Sequence, residues 1–184
     1  MQEYTLTEDT RKSFYHIFET LFQTKKKLKR KRDLETVTEV FNEKNKRFPD
    51  IICLPLHLKA ISLLNNLGYT DFDPKCVTFE FHRRNYSNFG KNKKKFKDFS
   101  WHYDDYNVAP FKLYTLIFYL RKDITVKGGN LLYDLEESKS GNSRVLEVSE
   151  GKVAIFSGDI YHTPEPSSGF GCRDSIVIFV KRLS

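Results

Sequence analysis

Apolar residues near the start of the chain recur at the spacing of an amphipathic helix. The helix is predicted to begin at Thr7, where a hydroxyl residue is followed by two acidic residues that suit a first helical turn. Its apolar face is formed by residues three or four positions apart, namely Phe14, Ile17, Phe18, Leu21 and Phe22.

Two more helices are predicted before residue 70. The second is indicated by apolar residues at helical spacing, namely Leu34, Val37, Val40 and Phe41. The third is predicted to run from Pro55 to Leu67 and to end at Gly68, because glycine readily adopts the left-handed conformation that closes many helices. Residues 1–74 are therefore expected to form a helical support for the rest of the chain.

From Lys75 onwards the period of the pattern changes. Short runs rich in branched and aromatic residues are separated by Gly, Asn, Asp or Pro, which predicts strands joined by turns. The predicted strands cover residues 77–81, 112–120, 130–133, 144–148, 152–156 and 175–181. Several are apolar on both faces, as in a sheet whose outer side is covered by helices. The predicted fold class is mainly β with N-terminal helices (α+β), with the helices packed on the outer face of one sheet of a sandwich.

The composition fits one domain with a substantial core. The chain has 184 residues, of which 39% are hydrophobic and 30% charged, and it has no apolar run long enough to span a membrane. Its polar, acidic start differs from a secretory signal. Cys53, Cys76 and Cys172 are odd in number and lack C-x-x-C spacing, which indicates a reduced thiol state. We expect residues 1–184 to form a single domain of an intracellular protein, cytoplasmic or nuclear, without a membrane partner.

The net charge of +7 arises from two local runs. Seven basic residues lie between Lys25 and Arg32 (KKKLKRKR), and five lie between Lys91 and Lys97 (KNKKKFK). Without these runs, the 24 acidic residues outnumber the 19 basic residues that remain. Such runs attract nucleic acid, acidic peptides or a nuclear import receptor, and they also occur simply as solvated loop lysines. Both readings remain open.

The pattern with the clearest chemical meaning is His102-x-Asp104, with a second histidine, His162, sixty positions later. Side chains two apart on an extended segment share a face, so the first imidazole and the carboxylate point to the same side. His162 follows an apolar run and a Ser-Gly-Asp turn. Two histidines and one carboxylate are the ligands of non-haem Fe(II) sites that activate oxygen. We therefore expect a metal site at His102, Asp104 and His162.

These features resemble the iron(II)- and 2-oxoglutarate-dependent oxygenases, and within them the prolyl and lysyl hydroxylase-like branch. The resemblance extends roughly from Lys75 to Arg182. It rests on four motifs: His102-x-Asp104, Tyr119-Leu120 with Gly128-Gly129-Asn130-Leu131, Gly158-Asp159-Ile160-Tyr161-His162, and Arg173-x-Ser175. It implies a double-stranded β-helix (jelly roll) over residues 75–184, with the metal between its two sheets.

The resemblance also implies cofactors and an activity. Fe(II) would be bound by the two histidines and the aspartate, and 2-oxoglutarate and O2 would be cosubstrates, with ascorbate as a further possible requirement. The reaction would couple hydroxylation of a C–H bond to decarboxylation of 2-oxoglutarate to succinate and CO2. Arg173 and Ser175 would bind the distal carboxylate of 2-oxoglutarate, because arginine offers a planar fork for it. Further candidates for cosubstrate binding are Tyr119, Thr115 and Asn85, whereas His82 is expected mainly to pack.

Three functions remain in competition. The first is a hydroxylase acting on a protein side chain, proline or lysine, which the Gly-Gly and Arg-x-Ser motifs favour. The second is an oxidative demethylase of nucleic acid, for which the Lys91 to Lys97 run would place cations beside the site. The third is a non-catalytic metal-binding interaction module, against which the complete set of ligand and carboxylate-binding residues argues.

Overall fold

The structure is a computed structural model, and it describes residues 1–24, 29–31, 34–41, 51–86, 101–105, 112–135 and 143–183. Two α-helices are described, α1 (Glu8–Thr24) and α2 (Leu54–Asn66), the latter preceded by a 3₁₀ turn (Ile51–Cys53). Before residue 100 the strands are β1 (Gln2–Thr5), β2 (Lys29–Lys31), β3 (Leu34–Phe41) and β4 (Phe72–Tyr86). After residue 100 they are β5 (Leu113–Lys122), β6 (Lys127–Gly128), β7 (Leu131–Asp134), β8 (Arg144–Leu146), β9 (Lys152–Ser157), β10 (Tyr161–Pro164), β11 (Ser167–Ser168) and β12 (Gly171–Arg182).

Seven strands form the major sheet, in the order β1-β9-β5-β12-β4-β3-β2, with every neighbouring pair antiparallel. The central strands β5 and β12 are buried over most of their length. This agrees with the predicted strands that are apolar on both faces. A smaller sheet, β10-β7-β8, and the short pair β11-β6 complete the described strands.

One apolar core lies between the helices and the outer face of the major sheet. Phe14 and Phe18 of α1 contact the rings of Phe118 on β5 and Phe81 on β4. Helix α2 adds buried leucines to the same cluster. A second core joins the inner face of the major sheet to the smaller sheet, through residues such as Ile117, Leu131, Phe156 and Val177. The helices therefore cover one side of the major sheet, and the space between the two sheets is left for the site described below.

Most predicted elements are confirmed. Helix α1 starts at Glu8, with the Thr7 hydroxyl accepting a hydrogen bond from the Thr10 amide. Helix α2 ends just before Gly68, whose φ of 81° lies in the left-handed region. All six predicted strands exist, although β4 and β12 extend well beyond the predicted limits. Among the described residues, no helix is sufficiently long and apolar to cross a membrane.

The predicted second helix is wrong, because residues Leu34–Phe41 form strand β3. The segment LETVTEVF is rich in β-branched residues, which favour strands. It pairs with β4 from Leu34↔Arg84 to Phe41↔Val77, so it satisfies the hydrogen-bonding groups along that edge of the sheet. Residues 1–74, expected to be a helical support, therefore also contribute β1, β2 and β3 to the major sheet. The Lys91 to Lys97 run lies outside the described residues, as do the side chains of the run from Lys25 to Arg32.

Candidate metal and carboxylate site

His102, Asp104 and His162 lie together, with one potential ligand atom from each residue within 4.8 Å of the others. A two-residue bridge causes this convergence: the amide of His102 donates to the carbonyl of His162, and the reverse bond also forms, both at 3.0 Å. The Asp104 amide donates to the Gly158 carbonyl at 2.9 Å, which fixes the backbone of Asp104 against the segment that leads to His162. Asp104 Oδ1 is 3.5 Å from His102 Nε2, and Oδ2 is 3.7 Å from His162 Nε2.

The protonation states of these groups suit a divalent metal. Burial alone would raise the pKa of Asp104, but hydrogen bonds from His102 and from the Thr115 hydroxyl hold this pKa below its usual value. Burial lowers the pKa of His162, which favours the neutral imidazole. His162 Nδ1 lies 2.9 Å from the Ile160 carbonyl oxygen, which can only accept. The ring proton therefore sits on Nδ1, and the lone pair of Nε2 faces Asp104.

A cavity of about 310 Å³ surrounds these residues, between the inner face of the major sheet and β10. Arg173 and Ser175 line it from β12, and Tyr119 lines it from β5. All three are buried, and Ser175 and Tyr119 are direct partners in the β5–β12 register. The Nη1 of Arg173 donates to the Gly129 carbonyl, which fixes the guanidinium against the turn between β6 and β7.

The group formed by Arg173, Ser175 and Tyr119 has the chemistry of a carboxylate-binding site. A buried guanidinium requires an anionic partner, and its planar fork matches a carboxylate. Burial raises the pKa of Tyr119 to about 12, against the opposing charge of Arg173, so the phenol remains a hydrogen-bond donor at neutral pH. The cavity thus brings together a set of potential metal ligands and a candidate carboxylate site formed by Arg173, Ser175 and Tyr119.

Two residues predicted to bind the cosubstrate have other partners. Thr115 lines the cavity and is fully buried, but its hydroxyl donates to Asp104 Oδ2 at 2.7 Å. This hydrogen bond orients a candidate metal ligand, and the role of Thr115 in cosubstrate binding stays a prediction. Asn85 does not line this cavity, because side chains alternate along β4 and its neighbours His82 and Arg84 are the residues that do. Its role in cosubstrate binding stays a prediction. Asn85 Oδ1 instead accepts a hydrogen bond from the Cys172 thiol at 3.0 Å.

Two further residues of β4, Glu80 and Arg84, line the cavity, and the sequence did not predict this. Glu80 and Arg84 line it together with His82, and Glu80 Oε2 lies 2.8 Å from His82 Nε2. His82, expected mainly to pack, is the register partner of Ser175 on β12. Alternation along β4 is the signal that links these three residues. The sequence alone does not show which of the two faces of β4 is directed towards the metal ligands.

Aromatic residues border the metal ligands on the outer side. The Trp101 ring stacks on Tyr161 with centroids 5.1 Å apart, and the Tyr103 ring lies 4.8 Å from the same tyrosine. These residues alternate with His102 and His162 along their segments, so they face away from the metal ligands. They hold the two ligand segments together beyond the backbone bridge.

No family model matches the sequence, and no curated protein matches it. Solved structures with a similar fold do match, at low sequence identity. A prolyl-4-hydroxylase from Pseudomonas putida is 14% identical, with a TM-score of 0.64, over 98% of this chain and 91% of that chain. A prolyl hydroxylase from Trichoplax adhaerens, solved with a hypoxia inducible factor peptide fragment, is 13% identical, with a TM-score of 0.66, over 98% of this chain and 83% of that chain.

An oxidoreductase of the 2OG-Fe(II) oxygenase family from Burkholderia pseudomallei is 13% identical, with a TM-score of 0.61, over 97% of this chain and 93% of that chain. The three likenesses cover nearly the whole chain, so the fold is that of the 2OG-Fe(II) oxygenases, a double-stranded β-helix. This confirms the predicted fold class.

Proposed function

We propose that this protein is an Fe(II)- and 2-oxoglutarate-dependent dioxygenase that hydroxylates a C–H bond. The observation that carries this proposal is the pairing, inside one cavity, of the His102, Asp104 and His162 ligand set with buried Arg173. A metal site alone would fit many functions. A metal site beside a carboxylate site fits a small dicarboxylate cosubstrate that chelates the metal at one end and binds arginine at the other.

Each residue has a definable task in this proposal. His102, Asp104 and His162 would hold the Fe(II), and the Ile160 carbonyl keeps the His162 ring in the ligating tautomer. Arg173 would bind the distal carboxylate of 2-oxoglutarate through its fork, with hydroxyl donors from Ser175 and Tyr119. When bound, Fe(II), 2-oxoglutarate and O2 supply the oxidative decarboxylation that yields succinate and CO2 together with a hydroxylated product.

The substrate we propose is a protein side chain, prolyl or lysyl. Two of the structural neighbours are named prolyl hydroxylases, and one of these was solved with a peptide fragment. The described residues that line the cavity include both an acid and bases, Glu80 beside His82 and Arg84, rather than the purely cationic surface that suits phosphates. An oxidative nucleic-acid demethylase and a non-catalytic binding module remain as outcomes of the test.

The test uses protein reconstituted with Fe(II) and supplied with 2-oxoglutarate and ascorbate. Peptide pools with a central proline or lysine, and methylated oligonucleotides, are screened for substrate-dependent succinate release and for the addition of one oxygen atom. The proposal expects release with peptides, none with His162→Ala, and dependence on 2-oxoglutarate. Release only with methylated oligonucleotides would support demethylation. Metal binding without any 2-oxoglutarate turnover would support the binding module.

A further inference from the structure

A second cavity adjoins the one that contains the metal ligands, and we propose that it binds a neutral amide group of a peptide substrate. The proposal rests on the proposed function only for the identity of the substrate. The second cavity has a volume of about 190 Å³ and lies between the end of β4 and the β10–β11 segment. Arg84 and Pro164 line both cavities, so a chain whose reacting residue lies at the metal can place its next residue here.

Two buried hydroxyl groups point to a ligand in the second cavity. Tyr86 is 5% exposed and Ser167 is 8% exposed, and both residues line the cavity. Neither the Tyr86 phenol oxygen nor the Ser167 hydroxyl oxygen has a hydrogen-bond partner among the described residues. Buried polar groups are nearly always paired in folded proteins, because an unpaired one has lost its hydration without compensation. Two such groups in one small cavity are explained if a ligand supplies their partners.

The charges and walls of the cavity select a neutral, dipolar group. The lining contains one cation, Arg84, and one anion, Glu165, whose Oε2 lies 3.3 Å from the Asn130 amide. A hydroxyl group can both donate and accept, so two of them match the C=O and N–H of an amide. Trp101 and Pro166 supply apolar surface for the remainder of a residue. The Glu165 carboxylate would repel a phosphate or a free carboxylate in this cavity, whereas it would not repel a neutral peptide unit.

The chain offers a reporter placed in the cavity itself, because Trp101 is its single tryptophan. We suggest following the indole N–H signal by NMR in the whole chain, with Zn(II) as a redox-inert metal, while N-acetyl-L-alaninamide is added. A saturable shift is expected. Tyr86→Phe and Ser167→Ala should each weaken binding about 5-fold, the typical effect of one lost hydrogen bond. The matched controls Tyr4→Phe and Ser168→Ala, which alter residues outside the cavity lining, should bind as the wild type does.

Several results would overturn the proposal. These are an indole signal that does not saturate, equal affinity in both cavity variants, and tighter binding of N-acetyl-L-alanine, the free carboxylate. Tighter binding of adenosine or cytidine would assign the cavity to a nucleobase instead. Ser167 also lies close to Arg173, since a Cβ on Gly129 would meet both side chains. If Ser167→Ala weakens 2-oxoglutarate binding and leaves amide binding unchanged, its hydroxyl belongs to the first cavity.

Thermal unfolding without ligand supplies an independent check. Removing a hydroxyl that has no hydrogen-bond partner in the described part of the chain should leave the Tm of Tyr86→Phe and Ser167→Ala unchanged or slightly raised. A clear loss of Tm in both variants would show that the hydroxyls serve the fold, and it would overturn the proposal. These measurements require neither iron nor turnover. Amide binding in a protein that never releases succinate would therefore refute the proposed function and leave the second cavity assigned.

Discussion

At the scale of single residues, Asp104 takes part in most of the contacts in the metal site. Its two carboxylate oxygens face the two histidines, and Oδ2 also accepts the hydrogen bond from Thr115 on the central strand β5. The position of this carboxylate therefore depends on a residue of the major sheet as well as on its own segment. Hydrogen bonds of this kind orient a metal ligand and adjust its affinity for the metal.

We predict that Thr115→Val lowers the affinity for Mn(II) roughly 10-fold or more, whereas Thr115→Ser retains it. Valine has nearly the same shape as threonine but cannot donate to Asp104. Isothermal titration with Mn(II) measures this effect directly. The affinity for 2-oxoglutarate at saturating Mn(II) should change little. The opposite pattern, unchanged metal affinity with weaker 2-oxoglutarate binding, would support the cosubstrate role predicted for Thr115 from the sequence.

Arg173 is the residue on which the carboxylate site depends. We predict that Arg173→Ala nearly abolishes 2-oxoglutarate binding without removing the metal, because one partner of a buried charge pair is worth on the order of 3–5 kcal/mol. Arg173→Lys should restore binding only in part, since a point charge cannot reproduce the two parallel bonds of the fork. Titration of Mn(II)-loaded protein with 2-oxoglutarate tests both variants. Wild-type affinity for 2-oxoglutarate in Arg173→Ala would show that Arg173 does not bind the distal carboxylate.

The sequence located some of these residues and not others, for physical reasons. His102 and Asp104 could be paired because alternation along an extended segment is a local rule. The same rule does not say which face of β4 turns inwards, so it could not show that Asn85 lies outside the cavity lining. The partner of Thr115 could not be predicted, because its contact with Asp104 arises from the packing of β5 against a separate segment.

At the scale of elements, the turn between β6 and β7 supports the carboxylate site. Gly129 adopts a φ of +76°, and its carbonyl accepts a hydrogen bond from Arg173. A Cβ at this position would lie 2.5 Å from Arg173 Nη1 and 2.8 Å from Ser167 Oγ. The predicted Gly-Gly motif is therefore required both for a left-handed turn and for the close approach of the arginine.

We predict that Gly129→Ala weakens 2-oxoglutarate binding at least several-fold by displacing Arg173. Gly68→Ala is the matched control, since Gly68 has a similar φ of +81° but no atom of the described residues within 4 Å of an added Cβ. Both variants should lose stability from backbone strain, of roughly 1 kcal/mol. Only Gly129→Ala should lose cosubstrate affinity. Equal affinities in the two variants would show that the turn does not position the arginine.

Strand β12 also connects the site to helix α1. Asp174, between Arg173 and Ser175, is fully buried and pairs with Arg83 of β4 at 3.0 Å. Arg83 pairs in turn with Glu19 of α1 and lies over the rings of Phe18 and Phe22. The strand that presents Arg173 to the cavity is thus fixed on its other face by an ion-pair network beneath the helix.

We predict that Arg83→Met destabilises the fold by about 3–5 kcal/mol, because Asp174 is left buried without its cation. Urea unfolding gives this free energy. The control is Arg121→Met, whose partner Asp123 is more exposed and whose loss should cost about 1 kcal/mol or less. If the two variants lose equal stability, the network does not anchor β12.

The element boundaries show where sequence patterns were insufficient. Helices α1 and α2 were predicted because their apolar faces, caps and ends agree with one another. The segment of β3 has apolar residues at a spacing that also fits a helix, and its β-branched residues carried the opposite signal. The pairing partner β4 decides between them. That partner lies about forty residues away, beyond the reach of a local pattern.

At the scale of the whole molecule, the helices cover the outer face of the major sheet and both cavities lie on the opposite side. The family resemblance predicted this sandwich from four short motifs, and structures only 13–14% identical share it over nearly the full chain. The role of the two basic runs in binding nucleic acid or acidic partners stays a prediction.

The most direct test of the account is whether the two halves of the site act together. The wild-type protein should bind one Mn(II) per chain and should bind 2-oxoglutarate only after Mn(II) is present, as measured by successive isothermal titrations. His162→Ala should lose both steps, and His16→Ala, which alters a histidine on α1, should keep both. Binding of 2-oxoglutarate with equal affinity in metal-free protein, or full Mn(II) binding in His162→Ala, would contradict the account.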